Sequence, residues 1–209
     1  YGLLTGIIIF ALASLLPLVN TGYGLSLGVT IAMYTVLSTS WALFSGPTHY
    51  ISLATAAFFG LGMYVVGGGL EMYPFPILIL IAAGVGAVLA GFIGIATLRL
   101  SGVYFVIFTL GLAELIRQLV TWGQTTLGTS SGLYVLTNID EKMIYWQLLV
   151  LAAFVYLIGW WINRSKLGFA LRIIGNDEKV AAHSGINTAL VKVLLFMVSG
   201  STAAVTGAL

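Results

Sequence analysis

The stretch from Asn163 to Asn187 reads NRSKLGFALRIIGNDEKVAAHSGIN, and it interrupts a chain that is otherwise mostly apolar. It holds six of the fourteen Asp, Glu, Lys and Arg residues, and apolar runs lie on both sides of it. Ser165 is placed to cap a first short helix that ends at Gly175, and Asn176 to cap a second. Gly185 then suits a left-handed C-terminal cap. The stretch therefore predicts two short helices at a membrane surface, which suit either docking to a partner or a plain surface-lying connector.

The composition places the rest of the chain in lipid. Of the 209 residues, 60% are hydrophobic and 7% are charged. Soluble domains carry about 25% charged residues, so this chain is unable to solvate its own surface in water. It contains no cysteine, which excludes a disulfide framework and a thiolate metal site.

Seven apolar runs approach the length of about 20 residues that a membrane helix needs. They are Leu3 to Val19, Tyr23 to Phe44, Ile51 to Val66, Phe75 to Leu98, Val103 to Trp122, Ile144 to Ile162 and Ala189 to Leu209. The third run is short, so a tilted, re-entrant or broken segment also fits it. The sequence therefore predicts an all-α, polytopic membrane helical bundle of about seven spans, forming a single domain over residues 1–209.

The positions of the basic residues predict the orientation of the bundle. The polar stretch and its border hold five of them: Arg164, Lys166, Arg172, Lys179 and Lys192. Arg99 lies in the turn between the fourth and fifth runs. Placing both segments in the cytoplasm gives seven alternating crossings with an internal N-terminus. The connection from Gly123 to Met143, which carries Asp140 and Glu141, is then external.

Small residues recur every four positions along the fourth run, at Ala82, Gly86, Ala90 and Gly94. Small side chains at this spacing let two helix backbones approach closely in lipid. This pattern predicts a helix seam, either within the chain or with another subunit.

The fifth run contains the charges that lie clearly inside the predicted membrane region, Glu114 and Arg117. Their i, i+3 spacing places them on one helix face, where they are able to pair. Thr109 and Gln118 add further polarity to this run. Ionisable groups inside a membrane usually mark a pathway, so we interpret the four residues as lining the translocation path or its gate. The alternative is a self-neutralising pair that fixes helix packing.

Other kinds of site are not indicated by the sequence. His49 and His183 have no second ligand at metal-binding spacing, so no metal site is predicted. No nucleophilic arrangement and no glycine-rich phosphate loop occur, so we predict neither an enzyme nor a bound cofactor. The basic residues near the membrane are explained by anionic lipid without nucleic acid.

Four segments between about Trp41 and the last residue match motifs of one family, in the family's order. They are Ile51-Ser52-Leu53 with Ala56 to Tyr64; Leu98 to Tyr104; Thr109-Leu110-Gly111 with Glu114 and Arg117; and Gly168 to Ile174 continuing through Asn176-Asp177-Glu178 and Ala181-Ala182 to Gly185-Ile186-Asn187. With these segments the chain resembles the permease subunit of bacterial branched-chain amino acid ABC importers, the Liv-type membrane component.

The resemblance implies a permease that forms the translocation path in a bacterial cytoplasmic membrane. It implies four kinds of partner: a second permease subunit, two ATP-binding subunits that hold the ATP, a periplasmic or extracellular solute-binding protein, and membrane lipid. It also makes residues 163–189 a cytoplasmic coupling segment, with Asn176 to Gly185 as the coupling helix. The residues expected to act in coupling to the ATPase are Arg172, Asn176, Asp177, Glu178, Ala181, Ala182, Gly185 and Ile186.

The chain departs from the family pattern at three places. In the coupling loop, Glu178 lies one residue before the family's acidic position. Around the short third run, the sequence differs from the family's motifs at residues 46–50 and at residues 54–55. These differences leave the solute open, and related permeases for urea and short amides are an alternative. Two further hypotheses are a stand-alone secondary transporter with Glu114 as its ion site, and a membrane scaffold. The family continues beyond Leu209, which implies further spans after it.

Overall fold

The computed structural model describes residues 2–19, 22–70, 72–97, 103–126 and 140–209. All regular elements in these ranges are α-helices, which confirms the predicted fold class. They are α1 (Gly2–Ser14), α2 (Leu16–Val19), α3 (Tyr23–Thr48), α4 (Thr55–Gly69), α5 (Phe75–Thr97), α6 (Val103–Thr126), α7 (Glu141–Arg164), α8 (Lys166–Asn176), α9 (Glu178–His183) and α10 (Thr188–Ala208). Two predicted features lie outside the described residues. One is Arg99 with the rest of its turn motif at 98–102, and the other is the part of the external connection at 127–139.

The predicted count of seven spans is not confirmed. Within the described residues, five helices (α3, α5, α6, α7 and α10) are long and apolar enough to cross a membrane. The first run is divided at Leu15 into α1 and α2. The third run forms α4, whose 15 residues extend about 22 Å, less than the hydrocarbon core of about 30 Å.

Helix α10 lies at the centre of the bundle, where it packs against α3, α4 and α5. The predicted seam on α5 is buried, and its partner is α10 of the same chain. A Cβ added at Gly86 would lie 2.6 Å from the Cβ of Ala204 and 2.9 Å from the carbonyl oxygen of Gly200. The two backbones therefore approach to a distance that excludes any side chain at position 86.

Polar contacts join α10 to α3 inside the bundle. The Ser40 hydroxyl donates to the Ser199 carbonyl oxygen at 2.9 Å, and the Ser199 hydroxyl donates back to the Ser40 carbonyl oxygen at 2.8 Å. Both side chains are buried. Reciprocal hydrogen bonds satisfy these polar groups where water is absent and fix the register of the two helices.

Helices α8 and α9 lie at the end of the bundle where α3 finishes and α10 begins. The alternating apolar residues of this stretch predict one side that rests on protein: Leu171, Ile174, Val180, Ala181 and Ala182. Leu171, Ile174 and Ala181 join the main apolar core, whereas Val180 and Ala182 are exposed. The short helices thus have one side on the bundle and leave part of α9 uncovered.

The prediction that Asn176 caps the second helix is wrong, because α8 continues through Gly175 to Asn176. A Cβ at Gly175 would lie 2.7 Å from the Pro47 carbonyl oxygen, so this glycine permits a helix crossing rather than a stop. The cap of α9 is Asp177, whose Oδ1 accepts from the Val180 N–H at 3.4 Å. Ser165 occupies the N-cap position of α8, but its hydroxyl donates to the Ile162 carbonyl oxygen instead.

Candidate functional site

A cavity of about 750 Å³ lies between α4 and α6. Its lining is mostly apolar, with Ala56, Gly60 and Tyr64 on the α4 side. Glu114 and Arg117 of α6 belong to the same lining. An apolar cavity with a few convergent polar groups is the usual form of a small-molecule site.

The predicted pairing of Glu114 with Arg117 is confirmed. The Arg117 Nε donates to Glu114 Oε2 at 2.9 Å, and its Nη2 donates to Oε1 at 2.6 Å. Gln118 Nε2 adds a third hydrogen bond to Glu114 Oε1 at 3.2 Å. The Arg117 side chain is 73% exposed and the Glu114 side chain is 50% exposed. The pair is therefore open to the cavity and is not enclosed by packing against neighbouring helices.

Thr109, the fourth residue predicted to line the pathway, lies apart from this group. Its side chain is fully buried. The hydroxyl accepts from the Leu53 N–H at 3.2 Å and donates to the Val106 carbonyl oxygen at 2.9 Å. Thr109 thus holds the segment between α3 and α4 against α6, and the structure does not bring it together with Glu114.

The end of α9 has the cap that its glycine predicts. Gly185 has a φ of +78°, in the left-handed region. The Gly185 N–H donates to Ala182 O at 3.1 Å and the Ile186 N–H donates to Ala181 O at 3.2 Å. This double pattern is the Schellman motif, which satisfies the last carbonyl groups of a helix.

Arg172 connects α8 to the end of α7. Its Nη2 donates to Asn163 Oδ1 at 2.7 Å, while the side chain stays exposed. With Asn176 at the end of α8 and Asp177 at the start of α9, most of the predicted coupling residues build or position the helix pair. The exposed apolar positions of the helix pair include Phe169 on α8 and Val180 and Ala182 on α9.

Sequence reasoning missed the central ionic contact of this site, between Glu178 of α9 and Lys192 of α10. The Lys192 Nζ lies 2.6 Å from Glu178 Oε1, and the lysine side chain is 1% exposed. The Tyr50 hydroxyl donates to Glu178 Oε2 at 3.0 Å. The available signal was a single lysine inside the apolar sequence ALVKVLLF at 189–196. A lysine flanked by apolar residues on a helix indicates a buried charge that needs an acidic partner.

Partial burial and opposing charges act on the pKa values of this cluster. Burial raises the pKa of Glu178, but hydrogen bonds and the positive charge of Lys192 outweigh burial, with smaller help from Tyr50 and Thr188. The pKa of Glu178 therefore lies below its ordinary value of 4.5. Burial, followed by the hydrogen bond to Glu178 and its negative charge, raises the pKa of Tyr50 to about 12.

These shifts predict how the attachment of α9 depends on pH. A lowered pKa of Glu178 stabilises the folded state above pH 4.5, and this contribution is lost as the pH falls below that value. We expect the hydrogen-exchange protection of 178–183, corrected for intrinsic rates, to fall below pH 4.5. A Glu178→Gln variant should lack this step, and the same step in both proteins would contradict the assignment.

Comparison with known proteins identifies the family of this bundle. A family model described as branched-chain amino acid transport system / permease component matches residues 23–209. The chain belongs to this permease family. No curated protein and no solved structure matches the chain.

Family membership confirms the resemblance read from the four motifs. The permease is an ABC-type, multi-pass membrane protein, and its family is one of transport proteins rather than enzymes. Permeases of this family generally work with ATPase and substrate-binding partners. Within the described residues no group of three or more His, Cys, Asp and Glu side chains is placed to hold a metal ion.

Proposed function

We propose that this permease forms the translocation path of an ATP-driven importer for branched-chain amino acids in a bacterial cytoplasmic membrane. Its partners are a second permease subunit, two ATP-binding subunits and an external solute-binding protein. ATP is bound by the partner subunits. This chain supplies the translocation path and the contact through which the ATP-binding subunits move that path.

The observation that carries the proposal is the form of the α8–α9 pair. Helix α9 is capped at both ends, the pair is held to one end of the bundle, and the apolar side chains of Val180 and Ala182 are exposed. An apolar surface on a rigid element suits docking into a groove of a partner. In the proposed importer this surface contacts an ATP-binding subunit.

The proposed orientation places α8 and α9 in the cytoplasm, because most basic residues lie at that end of the chain's spans. With α1–α2 and α4 included as crossings, the proposed bundle has seven spans and an internal N-terminus. α4 then reaches across only part of the membrane, with residues 51–54 of the third predicted run completing the crossing near the cytoplasmic surface.

Glu114 and Arg117 are the proposed polar groups of the path, at the cavity between α4 and α6. The apolar lining suits the side chain of a branched-chain amino acid. Uptake assays with the complete importer decide among solutes: competition by branched-chain amino acids supports the proposal, and competition by urea or short amides alone contradicts it. Ion-driven uptake by the isolated permease would favour the secondary-transporter alternative.

The Gly185 cap provides a test of coupling. Valine is strained at a φ of +78° by about 1–2 kcal/mol, so Gly185→Val should disturb α9 while the spans still insert. We expect ATP hydrolysis in the reconstituted importer to continue while ATP-dependent uptake falls roughly tenfold, the change that 1.4 kcal/mol produces.

Gly185→Asn is the matched control for this test, because asparagine tolerates the left-handed conformation. No atom lies within 4 Å of a Cβ added at Gly185, so backbone strain is the main difference between the two variants. Equal uptake per ATP in both variants would contradict the assignment of α9 to coupling.

A further inference from the structure

Three separate elements meet at the side chain of Lys192. It belongs to the first turns of α10, while Glu178 comes from α9 and Tyr50 from the segment between α3 and α4. Besides its ion pair with Glu178, the Lys192 Nζ lies 4.5 Å from the centre of the Tyr50 ring and 3.4 Å from its hydroxyl. A buried ammonium requires such compensation, because charge is poorly solvated away from water.

This arrangement links the position of α9 to that of α10. If α9 moved away from the bundle, Lys192 would lose its contact with Glu178 while its side chain remained buried. Removing one partner of a buried ion pair is strongly unfavourable. The low-energy response to a force on α9 is therefore a joint displacement of α9 and the start of α10.

Close backbone packing then links α10 to α4. A Cβ added at Gly62 of α4 would collide with the Ala204 carbonyl oxygen of α10, and one at Gly207 of α10 would collide with the Phe59 carbonyl oxygen of α4. No flexible side chain separates the helices at these two points, so they have little freedom to slide independently. α4 in turn forms one wall of the cavity that contains Glu114.

We propose that Lys192 is a positioning residue that joins α9 to α10, so that a displacement of α9 moves α10 and the α4 wall of the cavity. This inference rests on the proposed function of α9 as the ATPase contact. Glu178 and Tyr50 form the other side of the same contact. The route runs from α9 through Lys192 to α10 and from there to α4.

The test uses the complete importer in liposomes and measures uptake and ATP hydrolysis together. Glu178→Gln, with 40% of the native side chain exposed, removes the carboxylate charge with little change in shape. We expect its uptake per ATP to fall about tenfold while assembly of the importer is retained. Lys192→Met should show the same loss, Lys192→Arg should recover part of the uptake, and Lys142→Met, at an exposed lysine near the start of α7, should show no change.

A distance measurement separates coupled motion from a purely structural role. Because the chain has no cysteine, spin labels are readily placed at Ser184, directly after α9, and at Leu194 of α10, which are both exposed. In the native background we expect their separation to stay constant between the nucleotide-free and ATP-bound importer. In the Glu178→Gln background it should change.

The outcomes are distinct. If the Glu178→Gln importer has the same uptake per ATP as the native importer and a constant label separation, the proposed role of Lys192 is overturned. This holds whether or not Lys192→Met assembles. If Gly185→Val still uncouples in that case, the proposed function stands without this contact. If the native importer shows no ATP-driven uptake, the proposed function itself fails.

Discussion

Replacing Gly62 with alanine should destabilise the permease by about 3 kcal/mol, at the upper end of the usual cost of overpacking. A Cβ at this position meets the backbone of α10, with the Ala204 carbonyl carbon at 2.7 Å and its Cα at 3.1 Å. Backbone atoms of a central helix are unable to rotate away as a side chain does. We expect thermal unfolding in detergent to occur at a clearly lower temperature and the yield of monodisperse protein to fall.

Gly68→Ala is the matched control on the same helix. No atom lies within 4 Å of a Cβ added there, and alanine favours a helix over glycine by about 1 kcal/mol. The same chemical change should therefore be neutral or slightly stabilising at position 68. Equal stability of the two variants would contradict the close contact between α4 and α10.

Removing Arg117 should cause the second large effect, a loss of most assembled permease and of its uptake. Arg117→Ala leaves Glu114 without the guanidinium that accounts for two of its three hydrogen bonds. An unpaired carboxylate on a membrane helix is costly to insert. The measurement is the amount of permease in purified membranes, followed by uptake per assembled importer.

The double variant Glu114→Gln/Arg117→Gln separates the two interpretations of the pair. With no charge to insert, it should assemble normally. If the pair lines the path, uptake by the assembled double variant stays low, whereas a pair that only fixes packing would let uptake return. Full activity of Arg117→Ala alone would make the pair incidental to both roles.

The features that the sequence predicts correctly depend on residues close together in the chain. The pairing of Glu114 with Arg117 follows from a spacing of three residues on one helix, and the left-handed cap at Gly185 follows from its missing side chain. The seam containing Gly86 follows from a four-residue period, although the pattern left its partner helix open.

The features that escaped prediction depend on how separate helices pack. Lys192 and Glu178 lie on different helices, and Thr109 of α6 contacts Leu53 in the segment between α3 and α4. No local period reports such contacts. The predicted N-cap of α9 at Asn176 is wrong by one residue for the same reason. Gly175 does not end α8, because it is needed for the close approach of Pro47 from α3.

The most direct test of the account is the location of α9 relative to the membrane and the ATP-binding subunit. The cysteine-free chain allows single substitutions, Val180→Cys on α9 and Met143→Cys at the far end of α7, both at exposed side chains. We expect a thiol-reactive crosslinker to join position 180, but not position 143, to the ATP-binding subunit. We also expect an impermeant thiol reagent added outside to label position 143 only. Labelling of position 180 from outside, without a crosslink to the ATPase, would contradict the central claim.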